Sequence, residues 1–98
     1  MRLAILLTAS YGTEDRHSAL QIARAALAQG HSVSVFLMDD GVFNAAEVAD
    51  LIGERCEVAL CSHNADQRGL SGDERVLLGS QHDWARMVSA ADRVIAFG

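Results

Sequence analysis

EVALCSHN, residues 57–64, is the stretch on which the reading of this chain turns. Val58, Ala59, Leu60 and Cys61 form a short unbroken apolar run, and Ser62 and Asn64 then supply the polar side chains that open helices. An apolar run of strand length suits a strand covered on both faces, the mark of a parallel sheet. In such sheets ligands and reactive groups collect where the carboxyl ends of strands turn into helices. Cys61 stands at that junction.

Outward from this stretch the same alternation repeats. RLAILLT (2–8) is a second run of buried-strand character, and 9–13, with Ser10 and Gly12, is its turn. Glu14 and Asp15 place acids where a helix start favours them, and Ala19, Ile22, Ala23, Ala26 and Leu27 recur at helical spacing until Gly30 closes the helix. HSVSVFLM (31–38) is rich in strand formers and ends on Asp39-Asp40-Gly41. Residues 42–52 are expected as a helix or two short turns, with Asn44 as a cap and Gly53 as the stop. After the strand CEVALC (56–61) come a short helix over 62–68 closed by Gly69, an irregular crossing over 70–74 and a short strand over 75–78. A helix over 81–91 with Trp84, Met87 and Val88 on one stripe leads to a last strand over 92–97.

Strands and helices in this order predict one α/β domain over residues 1–98: a three-layer α/β/α sandwich with a mainly parallel sheet of about five strands. The connections are so short that few helices remain to cover both sheet faces. A neighbouring subunit is therefore expected to supply cover.

Composition narrows the function classes. The 98 residues carry a formal charge of -5, and all the positive side chains are arginines with no basic stripe among them. Direct nucleic-acid binding and an anionic membrane are disfavoured. No stretch reaches the roughly 18–20 apolar residues of a membrane span, and the opening run lacks a processing site. Two cysteines, Cys56 and Cys61, with no sign of export, lead to a reduced, cytoplasmic setting as the default expectation.

The thiolate is the reactive form of cysteine, and a helix start or a nearby cation favours it. His63 is then a candidate proton partner for Cys61, and Arg68 a candidate for screening its charge. On the residues alone an inert, packed Cys61 is the commoner case and a reactive one the alternative, because buried free cysteines are common. Cys56 lies five positions earlier, so a regular strand sends the two side chains to opposite faces and a disulfide is not expected. No four-ligand set at zinc spacing exists. Ser10, Tyr11, Gly12 and Thr13 join a strand to a helix start, a place that can bind an anion, although neither dinucleotide nor Walker spacing is present. Asp39 and Gly41 come to the same sheet edge, so these residues are candidates for a ligand cleft shared with Cys61. A small-ligand or anion-binding oligomer with a structural cysteine is the alternative reading.

Tyr11-Gly12-Thr13, Ser18-Ala19, Gly30-His31, Gly41-Val42, Asn44-Ala45, a strand ending on Cys61, Arg68-Gly69 and a closing ADRVIAF (91–97) together resemble the DsrE/DsrF-like family, nearest the TusD/DsrE-type subunits of sulfur relays. The resemblance implies a parallel-sheet sandwich and a cysteine after the third strand, here Cys61, that carries sulfur as a persulfide and passes it on without a cofactor. It further implies trimers or hexamers, of one chain or of paralogous subunits, and proteins that donate and accept sulfur.

Overall fold

The structure, a computed structural model, describes residues 1–98. Five strands, β1 (Arg2–Leu7), β2 (Ser32–Leu37), β3 (Cys56–Cys61), β4 (Leu77–Gly79) and β5 (Arg93–Phe97), pair in the order β4-β3-β2-β1-β5, every pair parallel. Four α-helices, α1 (Glu14–Ala28), α2 (Ala45–Ala49), α3 (Ser62–Gln67) and α4 (Gln81–Ala90), connect them, with a 3-10 helix over Asp39–Asn44 ahead of α2. The sandwich expected from the alternation of elements is the fold observed.

Strand periodicity divides the core in two. Cys56, Val58 and Leu60 of β3 join a cluster of 19 buried residues with α1, α2 and Ala65 of α3, whereas Ala59 and Cys61 join only five with Ala4, Phe36 and Met87 of α4. Three helices thus cover one face and one helix covers the other. Phe36, fully buried, stacks on Trp84 at 6.1 Å; burying a ring of that size stabilises by about 1.5–3 kcal/mol. The α4 stripe is narrower than its spacing suggested: Met87 is buried and Trp84 half-buried, but Val88 is exposed.

Three local expectations differ from the structure. Asn44 sits at the start of α2 without a side-chain cap; its Nδ2 instead donates to the carbonyls of Ala9 (2.9 Å) and Gly41 (3.2 Å), tying two loops together in the interior. The stretch expected to be one helix or two turns begins as a 3-10 helix at Asp39, earlier than its apolar spacing indicated. β4 begins at Leu77, not Arg75. Arg75 is held by the carboxylates of Asp73 and Asp50, and the Val76 N–H donates to the Asp73 carbonyl, so the chain is still turning there.

Candidate functional site

Cys61 ends β3 and stands immediately before α3, its side chain on the thinly covered α4 face. It is 6% exposed, packed among Ala4, Phe36, Ala59 and Met87, and it reaches an open cleft of about 570 Å³. Cys61 is thus a largely covered residue at the edge of the cleft, its side chain in the apolar layer under α4. It lies low because the strand carries it inward beside Ala59, while the start of α3 and the start of α4 rise as walls. His63, Ser62 and Asn64 come from α3; Gly79, Ser80, Gln81 and His82 come from the β4–α4 junction; Met38 and Asp39 come from the end of β2.

The geometry of these walls follows from local chemistry. Ser80 caps α4 in a capping box with Asp83, its Oγ accepting from the His82 N–H (3.2 Å) while Asp83 Oδ2 accepts from the Ser80 N–H (2.8 Å). Gln81 Nε2 donates to Met38 Sδ at 2.9 Å, which ties the start of α4 to the end of β2. Asp39 has a left-handed backbone (φ 51°), rare for a residue other than glycine, and its N–H donates to Asn64 Oδ1 at 2.9 Å. That bond fixes the Asp39 wall to α3. Cys61, His63, His82 and Asp39 share the cleft, yet no three of them gather as a metal-ligand set.

The other candidate residues are placed elsewhere. Arg68 does not line the cleft; its Nε donates to Asp40 Oδ1 (2.9 Å) and its Nη1 to the Asn64 carbonyl (3.1 Å), so it fastens α3 to the 3-10 helix and does not screen Cys61. Ser10, Tyr11, Gly12 and Thr13 do not share the cleft either. β1 lies two strands from β3, roughly 10 Å away, and its turn leads to α1 on the opposite face. There Thr13 Oγ1 accepts from the Arg16 N–H (3.1 Å) and donates to the Ser10 carbonyl (2.9 Å), which is helix-capping chemistry. Tyr11, 70% exposed, lies under the Arg16 guanidinium at 5.3 Å. Gly41 is a packing requirement, since a Cβ there would lie 1.9 Å from the Leu7 carbonyl oxygen.

Cys56 is the contrasting thiol. Buried on the other face at the opposite end of β3, it is free of any disulfide, and burial, with Glu57 beside it, pushes its pKa up to about 11. Glu57 lies on the α4 face, where a hydrogen bond from Arg86 (2.8 Å) holds its carboxyl below the usual range, helped by Ser34 (2.7 Å) and by the charge of Arg2. This network pins α4 to the sheet beside the apolar patch that carries Cys61.

Met38, Ser80, Gln81 and His82 escaped the sequence reading. The signal was present: a second strand-to-helix junction, Gly79-Ser80-Gln81, must reach the same carboxyl edge as Cys61-Ser62-His63. What the sequence lacked was the neighbour relation of β3 and β4, which pairs Cys61 with Gly79.

Comparisons with known proteins agree with this architecture. An uncharacterized protein of Methanopyrus kandleri is 36% identical over 95% of this chain and 90% of its own length. Sulfurtransferase TusD of Salmonella newport is 53% identical, but over 47 residues, 46% of this chain and 37% of the relative. The crystal structure of the YchN protein of E. coli superposes with a TM-score of 0.81 at 24% identity, covering 98% of this chain and 97% of that one, a likeness of fold. The DsrE/DsrF-like family profile matches residues 1–97. The chain therefore belongs to the DsrE/DsrF-like family.

Proposed function

We propose that this protein is a sulfur carrier that holds sulfane sulfur as a persulfide on Cys61 and passes it to a partner protein. The carrying observation is a free cysteine lining a cleft, at a strand-to-helix junction, with two histidines in the same lining. Partial similarity to TusD sulfurtransferases supports the same chemistry. In the transfer step the Cys61 thiolate attacks the outer sulfur of a donor persulfide. A new S–S bond forms on Cys61, the donor's S–S bond breaks, and the donor thiolate leaves with the electron pair. His63 takes the Cys61 proton beforehand and returns it to the leaving thiolate. Six residues make α3 too short to hold much charge by its dipole, so the hydroxyl, amide and imidazole groups of the cleft lining are what an incoming donor meets. No helix of the chain is long and apolar enough to cross a membrane. A reducing cytoplasm suits two free thiols.

We further propose a homo-oligomer, trimer or hexamer, formed over the α4 face, where one helix covers five strands and Val94 remains 47% exposed. Light scattering at micromolar concentration that finds only monomer removes this part. The carrier itself is tested by intact-mass spectrometry after incubation with glutathione persulfide. A dithiothreitol-reversible gain of ~32 Da, absent from Cys61→Ser, is expected. An unmodified native protein overturns it.

A further inference from the structure

β4 is an edge strand of three residues, with no strand beside its outer backbone. Leu77 and Leu78 are 53% and 57% exposed, one on each face of that edge. An unpaired edge presents N–H and C=O groups to which another chain can pair, and three residues make this template a short one. A hollow walled by Ala65, Leu70 and Leu78 runs from the Cys61 cleft to this strand, and Ser62 and His63 line both. A further hollow beside Asp73, Glu74 and Val76 continues past Leu78. Along the whole path the charged linings are Asp39, Asp66, Asp73 and Glu74, with neither arginine nor lysine among them. Asp73 is neutralised by Arg75, whereas Asp39, Asp66 and Glu74 take part in no ion pair.

We propose that the β4 edge is the docking strip for an extended, basic segment of a partner polypeptide that exchanges sulfur with Cys61. Unpaired backbone supplies the pairing, the two leucines supply the apolar contact, and the three free carboxylates select positive charge. Pairing with the same strip of a second copy is disfavoured, because it would set Asp66 and Glu74 against their own counterparts. Register sets the reach. Cys61 pairs with Gly79, so a strand added beyond β4 runs two strand spacings from Cys61, roughly 10 Å. A thiol about three residues past the paired stretch spans that gap. Asp83 already occupies the space over Gly79, so the segment enters through the cleft mouth.

This inference rests on Cys61 as the exchanging thiol, and its test separates the two. The probe is a synthetic peptide of alternating valine and lysine ending in Gly-Gly-Cys, its cysteine joined to thionitrobenzoate. Cys61 attacks the peptide sulfur, a mixed disulfide forms, and thionitrobenzoate leaves as the coloured thiolate; Cys61→Ser gives the background. The lysine peptide is expected to react ~10-fold faster than a glutamate version at low ionic strength, the preference shrinking as salt is added. Asp66→Lys with Glu74→Lys should lower the ratio of the lysine-peptide rate to that of neutral dithiodipyridine by ~10-fold. Equal rates for the two peptides, or an unchanged ratio, overturn the docking strip while leaving the carrier standing. A native protein inert even to dithiodipyridine overturns both. If Leu77→Lys with Leu78→Lys dissociates an oligomer, the edge belongs to a second copy and the proposal fails.

Discussion

Replacing Gly41 with alanine tests whether the 3-10 helix that carries Asp39 to the cleft is seated directly on the end of β1. The added Cβ would lie 1.9 Å from the Leu7 carbonyl oxygen and 2.7 Å from its carbon, both backbone atoms that cannot rotate away. Non-bonded carbon wants about 3.5 Å, so the two segments must part by roughly 1.5 Å. Overpacking of this kind costs about 1–3 kcal/mol. The same Leu7 oxygen accepts the Met38 N–H at 3.1 Å, and losing that bond adds about 1 kcal/mol. A loss of about 2–4 kcal/mol in a domain this size lowers the melting temperature by roughly 10–30 °C. Thermal unfolding followed by circular dichroism reads it, with Gly53→Ala as control because nothing lies within 4 Å of a Cβ there. A Gly41→Ala protein melting within about 3 °C of that control, the span of an ordinary surface change, would refute the close approach.

Cys56 should make the folded state sensitive to alkali. Its folded pKa of about 11 stands above the ordinary 9.0, so the folded thiol keeps its proton longer than the unfolded one. That contribution is full below pH 9.0 and is lost as pH rises to about 11, an effect of ~2–3 kcal/mol; urea unfolding of Cys56→Ala should show a flatter decline over this window, and an equal slope refutes it. Glu57→Gln should cost about 1 kcal/mol at pH 7, discounted because the pair is half-exposed. Its carboxyl is held low chiefly by Arg86, so that stability is present above the ordinary carboxylate pKa and lost as pH falls through the folded value. The variant should flatten the acid limb of the stability curve, and an unchanged limb counts against the network.

The helix closures at Gly30 and Gly69, the whole of β3 and the placement of Cys56 and Cys61 on opposite faces were legible in the chain, because periods of 2 and 3.6 and glycine's left-handed freedom are local properties. So was a parallel α/β sandwich, since alternating strands and helices leave few ways to pair. Tertiary structure alone decided the cleft. It made β4 the neighbour of β3, which brought Ser80, Gln81 and His82 over Cys61, and it sent Ser10–Thr13 to α1 on the far face. It also gave Arg68 to Asp40 and buried Asn44 against Ala9, contacts whose partners lie 28 and 35 residues away. Such contacts depend on strand order and on which face each helix covers, and neither is written in the spacing of residues along the chain.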